Sequence, residues 1–242
     1  MFRERDRFHP PREGGCARME RAPRQAASVV SDTGRNMGEM MYRLYDYLPS
    51  GNGYKVRLVL KQLQLPYQLI ELDIKTGASR TPEFLAKNPN GRIPLLEVPG
   101  KGYLPESHAI ISFLAEGSRL IPGDAYERAR MWHWMCFEQY NLEPNIGTVR
   151  FWLSSLGKTR AELGEKLVEK KKSGYAALDV LEEGLRGRAF LAADQYSLAD
   201  IALYAYTHVA HEGGFDLAPY PHIRGWCDRV ASQPGWAPIT EK

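Results

Sequence analysis

The sequence predicts an α/β domain followed by an all-helical domain. Residues 40–120 alternate between strand-like and helix-like segments, whereas residues 124–242 carry helical periodicity and almost no strand signal. The stretch 120–123 (Leu-Ile-Pro-Gly) is typical of a linker. Residues 1–39 are rich in Arg, Pro and Gly and have no hydrophobic period, so we expect a disordered tail there.

The α/β domain is predicted to open with a strand, a helix and a second strand. Residues 41–47 are rich in tyrosine, which favours a strand, and Pro-Ser-Gly at 49–51 favours a turn. The helix that follows has apolar residues at i, i+3, i+4 and i+7: Val56, Val59, Leu60 and Leu63. Residues 67–74 alternate apolar and polar, which indicates the second strand.

The rest of this domain is predicted to be helix, two strands and a closing helix. Thr81-Pro82 opens a short helix, which ends before the turn Asn-Pro-Asn-Gly at 88–91. Two strands are predicted next, over residues 92–98 and 102–104. The spacing of the apolar residues in 110–114 predicts the last helix. A βαβ unit followed by αββα, with helices on both faces of a mixed sheet, is the thioredoxin-like arrangement.

The second domain shows three helix starts. Asp124 is placed to cap a long helix to about Leu142, where Pro144 is expected to interrupt it. The spacings Thr159-x-x-Glu162 and Ser197-x-x-Asp200 are capping boxes. The helix after the second box is unusually apolar, so we expect it to be central and buried.

Composition excludes several classes of function. The net charge of +3 is too small to indicate a nucleic-acid partner, and no run of about 18 apolar residues predicts a membrane span. Three widely spaced cysteines without a CxxC pair argue against zinc and fit a reducing, cytoplasmic compartment. His133, His208 and His211 lack metal-ligand spacing with acidic residues, so no metal is expected.

Three short motifs of the α/β domain carry polar groups suited to a small anionic thiol. Ser50-Gly51-Asn52 places a hydroxyl and an amide beside a helix N-terminus, which favours a thiolate. Ile93-Pro94 puts a proline inside a strand, which indicates either a kink with a cis bond or a trans proline on an edge strand. Glu106-Ser107 opens the last helix, and helix N-terminal amides bind carboxylates.

The order and spacing of these motifs, with the helical second domain, resemble the cytosolic glutathione transferase family over residues 40–242. The resemblance implies glutathione as co-substrate, a homodimer, and thiolate attack on an electrophilic substrate. It leaves open a glutathione-dependent disulfide reductase or peroxidase, and a non-catalytic glutathione-binding or assembly module.

By this resemblance, Ser50 and Asn52 face the glutathione sulfur, as in serine-type members and in the Thr-Pro-Asn turn of bacterial nu-class members. Ser-Gly-Asn departs from the zeta-like Ser-Ser-Cys, which disfavours an isomerase that depends on that cysteine. Tyr45 and Tyr47, on the strand before the turn, are the candidates if the chain is instead a tyrosine-type member.

The resemblance also implies the glutathione-binding residues. Ile93, before a cis Pro94, would pair through its backbone with the cysteinyl part, and Arg92 is a candidate for the glycyl carboxylate. Glu106 and Ser107 would receive the γ-glutamyl group. His108, next in sequence, is expected on the helix surface. Candidates to contact the second substrate, from the long helix and its continuation, are Trp134, Phe137, Tyr140 and Arg150.

Overall fold

The computed structural model describes residues 41–242, which begin with a four-stranded mixed sheet. The strands are β1 (Tyr42–Asp46), β2 (Tyr67–Glu71), β3 (Leu95–Val98) and β4 (Gly102–Pro105), in the order β2-β1-β3-β4. β1 pairs with β2 in parallel and with β3 antiparallel, and β4 pairs with β3 antiparallel. This is the predicted thioredoxin-like sheet.

Three helices complete this domain: α1 (Gly51–Gln62), α2 (Pro82–Leu85) and α3 (Ser107–Leu114). Short 3₁₀ turns at Ile74–Thr76 and Ala78–Arg80 lead into α2. β2 and β3 are shorter than the predicted 67–74 and 92–98. In β3 the reason is Pro94, which has no N–H to donate to a neighbouring strand.

The second domain is helical, as predicted. Its helices are α4 (Ala125–Phe137), α5 (Thr148–Arg150), α6 (Arg160–Gly184), α7 (Leu198–Thr207) and α8 (Pro221–Ala231). Both capping boxes are formed, on Thr159 for α6 and on Ser197 for α7. No helix among residues 41–242 is long and apolar enough to cross a membrane.

The interruption predicted at Pro144 does not occur. After α4 the chain continues as a π-helix over Glu138–Gly147, passes through α5 and widens again over Phe151–Ser155. Pro144 lies inside the first wide segment. The wider turn accommodates the missing N–H of proline without ending the helix, and such segments frequently mark functional sites.

One core spans both domains. Every residue of α7 is buried, as its apolar sequence predicted, and α7 packs against α1 of the first domain. The carboxyl-terminal segment closes over α1: Tyr54 donates to the Ala237 carbonyl at 2.6 Å, and Arg57 donates to the carbonyls of Ile239 and Leu48, each at 2.8 Å. Arg57 therefore ties the loop before Ser50 to the end of the chain.

Candidate active site

A cavity of about 670 Å³ lies between the sheet domain and the helical domain, and we call it the central cavity. Eight of the residues predicted as functional line it: Ser50, Asn52, Arg92, Ile93, Pro94, Glu106, Ser107 and Arg150. All three motifs of the first domain therefore meet at one opening, although the chain between the first and last of them includes two helices and three strands.

Ser50 is the N-cap of α1. Its Oγ accepts a hydrogen bond from the backbone N–H of Gly53 at 3.3 Å, and its extended backbone is that of an ordinary cap. The N–H of Ser50 donates to the Tyr47 carbonyl at 2.7 Å, which closes the turn. The hydroxyl is half-buried at the wall of the central cavity, so its proton is free to reach a ligand.

Two glycines allow this turn to pack closely. A Cβ on Gly53 would lie 1.7 Å from Oδ1 of the buried Asp46, and a Cβ on Gly51 would lie 2.5 Å from the Tyr206 ring. Tyr206, from α7, also lines the central cavity. Sequence reasoning did not identify Tyr206, because its position inside an apolar helix indicates core packing.

Asn52 connects two of the motifs. Its Oδ1 accepts a hydrogen bond from Nζ of Lys55 at 2.8 Å and lies 3.5 Å from Oγ of Ser107. Ser107 is buried at the start of α3, so the turn that carries Ser50 and Asn52 and the N-terminal end of α3 are in direct contact.

Lys55 belongs to a buried charged cluster that the sequence analysis missed. Nζ of Lys55 lies 2.8 Å from a carboxylate oxygen of Glu138, and both side chains are fully buried. The same carboxylate oxygen lies 3.1 Å from Nε2 of His108. His108 was expected on the helix surface, but only 13% of its side chain is exposed, because the π-helix carrying Glu138 covers it.

Electrostatics in this cluster favour an ion pair with a neutral imidazole. Burial and then the charge of Lys55 lower the pKa of His108. Burial opposes the charged form of Glu138, but the nearby Lys55 ammonium and the hydrogen bond from His108 outweigh it and hold the pKa of this carboxyl below its usual range.

The start of α3 carries backbone strain. Glu106 has φ +72°, in the left-handed region that non-glycine residues rarely adopt, and its carbonyl accepts the first helical bond from Ile110 at 2.9 Å. Strain of this kind clusters at binding sites. The side chain of Glu106 is exposed at the cavity wall.

The Ile93–Pro94 peptide bond is cis, as predicted. Asn88 holds this loop by donating its side-chain amide to the Arg92 carbonyl at 2.8 Å. Arg92 itself is exposed at the rim of the central cavity. Ile93 thus lines the same cavity as Ser50 and Ser107.

Three of the four second-substrate candidates do not line the central cavity. Trp134 is buried in the core, where its ring packs edge-on against Phe137 at 5.5 Å and lies against Gly184. Tyr140 is 86% exposed. Trp134, Phe137 and Tyr140 therefore lie outside the lining of the central cavity, and their contact with a second substrate stays a prediction.

The helical wall of the central cavity is instead largely polar. It is formed by Gln139, Glu143, Gly147, Thr148, Arg150, Phe151, Ser155 and Tyr206. The guanidinium of Arg150 is held by two hydrogen bonds within the protein. It donates to the Glu212 carboxylate at 2.9 Å and to the carbonyl of Pro49, the residue before Ser50, at 2.6 Å. Burial raises the pKa of Glu143.

Of the two alternative tyrosines, only Tyr47 lines the cavity. Tyr45 donates its hydroxyl to Glu97 at 2.8 Å, and burial together with that carboxylate raises its pKa to about 12. Tyr45 is therefore poorly suited to stabilise a thiolate. Among residues 41–242 no cluster of histidine, cysteine and acidic side chains is arranged to hold a metal ion.

Both domains match known protein families. Residues 40–116 match the glutathione S-transferase N-terminal domain family, and residues 131–234 match the glutathione S-transferase C-terminal domain family. A solved structure of a possible glutathione S-transferase from Rhodopseudomonas palustris is 46% identical, covers 84% of this chain and 99% of its own, and superposes with a TM-score of 0.81.

Two curated relatives have different named activities. The disulfide-bond oxidoreductase YfcG of Escherichia coli is 31% identical over 80% of this chain and 92% of its own length. Glutathione S-transferase 3 of Zea mays is 32% identical over 80% of this chain and 90% of its own length.

Proposed function

This chain belongs to the glutathione transferase family, and we propose that it binds glutathione in the central cavity and activates the thiol with Ser50 and Asn52. A free thiol of the cysteine type has a pKa near 8.5, so at neutral pH little of it is thiolate. Hydrogen-bond donors and the positive end of α1 favour the charged form. Lowering the thiol pKa by ~2 units corresponds to about 2.7 kcal/mol.

The three motifs match the three parts of glutathione. Ser107 and the amides at the start of α3 suit the γ-glutamyl carboxylate, and Glu106 suits its ammonium group. The backbone of Ile93 suits the cysteinyl part. Arg92, at the rim, suits the glycyl carboxylate.

One observation carries this proposal. Asn52 and Ser107 are 55 residues apart in sequence, yet their polar atoms lie 3.5 Å apart beside one cavity. A ligand that holds its carboxylate at α3 is thereby directed to place its reactive group at the Ser50 turn.

The reaction then follows from thiolate chemistry. The thiol proton leaves to solvent, the sulfur lone pair forms the new bond, and the leaving group departs with the electron pair of the bond that breaks. Conjugation at carbon and attack on a disulfide or peroxide share this activated sulfur. Of the earlier second-substrate candidates, Arg150 alone remains at the cavity wall.

Disulfide reduction is the second candidate function. Two features favour it: the Asn52 amide beside the sulfur position, and a helical wall whose side chains include Gln139, Glu143 and Thr148. A polar disulfide substrate suits this wall better than a large apolar electrophile does. The relative named as a disulfide-bond oxidoreductase supports the same reading.

We also propose that the protein acts as a cytoplasmic homodimer. The three cysteines without a CxxC pair fit a reducing compartment. Large aromatic side chains remain exposed on α4 and its continuation, including Tyr126 at 72% and Trp132 at 41%. Exposed aromatic groups at this density suit an interface with a second copy.

The direct test measures glutathione affinity by calorimetry and turnover with an aryl halide, a mixed disulfide and a peroxide. We expect binding together with turnover of at least one substrate class. Binding without any turnover would support the non-catalytic module, and absence of binding would overturn the proposal.

Variants of the γ-glutamyl site make this test specific. Glu106→Ala and Ser107→Ala each remove a hydrogen bond to a charged group, at a cost of about 1.5–3 kcal/mol, so affinity should fall roughly 10- to 150-fold. Ser112→Ala is the matched control on α3, because its hydroxyl bonds only the His108 carbonyl, at 2.7 Å. Unchanged affinity in both site variants would place the γ-glutamyl group elsewhere.

A further inference from the structure

The buried ammonium of Lys55 determines the orientation of the Asn52 side-chain amide. Lys55 lies one helical turn after Asn52, and its Nζ contacts Oδ1 of Asn52 at 2.8 Å. An ammonium has only donors, so it can meet the oxygen of an amide but not the nitrogen. The chemistry of the partner therefore sets the orientation of the amide, with its oxygen toward Lys55.

The NH₂ group of Asn52 faces away from Lys55 and carries two hydrogens, so a bond to one acceptor leaves the other hydrogen for a ligand. Asn52 lines the central cavity, whereas Lys55 does not. Ser107 Oγ also lies on the Oδ1 side, at 3.5 Å. Glu143, another cavity-lining group, is the second neighbour of the amide, and its interaction with Asn52 favours the charged form of the carboxylate, as a donated N–H would. Both contacts agree that the amide nitrogen is directed away from Lys55.

Lys55 is fully buried, and Glu138 compensates its charge at 2.8 Å. His108 completes the surroundings, 3.4 Å from Nζ and 3.1 Å from Glu138. An ion pair this close has a much weaker field at a distance than a lone ammonium has. A direct action of Lys55 on a bound sulfur is therefore less important than its contact with the amide.

We propose that Lys55 is a positioning residue: it holds Asn52 so that the NH₂ group, and not the carbonyl oxygen, is presented to the glutathione sulfur, while Glu138 balances the buried charge. This inference rests on the proposed role of Asn52. An Asn52 with its oxygen toward the sulfur would repel a thiolate, so the contact with Lys55 selects the productive orientation.

The test uses a pair of variants that remove both charges together, because Lys55→Met alone leaves Glu138 buried and unpaired. In Lys55→Met/Glu138→Gln the apparent pKa of bound glutathione, read from thiolate ultraviolet absorbance, should rise by about one unit, which is tenfold less thiolate at neutral pH. Glutathione affinity should change by less than about threefold, since most binding comes from the carboxylate ends, so kcat should fall more than KM changes.

Two controls separate positioning from charge. Lys61→Met, on the same helix and paired only with Glu241 near the surface, should leave the thiol pKa unchanged. Lys55→Gln/Glu138→Gln has the same side-chain length as the Met pair but keeps an N–H donor, so it should retain more of the thiolate. Equal losses in the Met and Gln pairs would overturn the positioning role. If the Met pair does not fold, a parent-like thiol pKa in the Gln pair still supports it.

The decisive arm repeats the Met pair in an Asn52→Ala background. If Lys55 acts through Asn52, the pair adds no further shift there. A full additional shift would show direct action on the sulfur and overturn the inference, while the proposed function stands. If Asn52→Ala itself leaves the thiol pKa unchanged, the proposed role of Asn52 and the positioning role of Lys55 both fail. The Asn52→Ala variant alone therefore separates failure of the proposed function from failure of this inference.

Discussion

Asn52 is the residue at which the contacts of the site converge. Its side chain touches Lys55 on its own helix and Ser107 on α3, and it faces the central cavity. Ser50 has a simpler local role, since its hydroxyl caps α1 by accepting from Gly53. The two side chains therefore offer a ligand different donors from one turn, and only that of Asn52 is held by groups outside the turn.

A second residue, His208, couples stability to pH. Its ring stacks on Tyr204 at 4.4 Å, and Nδ1 lies 2.7 Å from the Tyr204 carbonyl oxygen. Burial lowers the pKa of His208 to about 4, below its ordinary value of 6.5. The unfolded chain therefore binds the proton more readily than the folded one between these pH values.

We predict that His208 contributes stability that is fully present above pH 6.5 and is lost as the pH falls toward 4. The loss should be on the order of 2–3 kcal/mol. Urea unfolding at a series of pH values, for the parent and His208→Gln, measures it. The variant should lose less stability on acidification than the parent, and His133→Gln, at an exposed position, should follow the parent. Parallel curves for His208→Gln and the parent would show that His208 contributes no pH-dependent stability.

At the level of secondary-structure elements, the close approach of β1 and α1 determines the shape of the turn between them. Asp46, the last residue of β1, is fully buried and paired with Arg57 of α1. Its carboxylate fills the space beside Gly53. The first turn of α1 is thereby held against the strand end, which places Ser50 and Asn52 at the cavity wall.

Gly53→Ala should break this contact. The added Cβ would lie 1.7 Å from Asp46 Oδ1, so either the carboxylate or the helix must move. Overpacking of this kind costs on the order of 1–3 kcal/mol. Chemical denaturation measures the loss, and glutathione affinity should fall with it. Gly123→Ala is the matched control, because nothing lies within 4 Å of its Cβ. Equal stability of the two variants would mean that the Asp46 carboxylate moves aside at no measurable cost in stability.

The parts of the fold set by local signals were predictable from the sequence. The capping boxes on Thr159 and Ser197 each require residues only three apart. The proline inside a strand suggested a kink, and the family resemblance implied the cis bond that is present at Ile93–Pro94. Each of the three motifs around the central cavity is only two or three residues long and weak alone, and their order and spacing made them recognisable by resemblance.

The features that depend on tertiary packing were not predictable. The buried cluster combines side chains from three helices: Lys55, His108 and Glu138. No local sequence pattern predicts that these two charged groups and an imidazole lie together in the core. The aromatic residues of α4 occur on more than one face of the helix, so hydrophobic periodicity could not predict which of them is buried. Trp134 is the one that packs in the core. The π-helix around Pro144 is likewise set by packing and not by proline alone.

For the molecule as a whole, the exposed aromatic side chains on α4 predict association. Tyr126 and Trp132 expose 72% and 41% of their surface, so burying them against a second copy should be favourable. Sedimentation at micromolar concentration should give a homodimer, and Trp132→Glu should weaken it by placing a charge in the interface. A stable monomer for the parent chain at that concentration would count against the dimer.

Ser50 and Asn52 are proposed to stabilise the glutathione thiolate together. The most direct measurement is the ultraviolet absorbance of bound glutathione against pH in Ser50→Ala, Asn52→Ala and the double variant. Both single variants should raise the apparent pKa of the thiol with little loss of affinity, and loss of one donor should cost on the order of 10²-fold in turnover.

Because the two groups share one sulfur, their effects should be non-additive in the double variant. Saturating glutathione, confirmed by calorimetry, ensures that the titration reports the bound thiol in every variant. If all three variants titrate like the parent, Ser50 and Asn52 form only a turn and a helix cap, and Tyr47 becomes the group to examine.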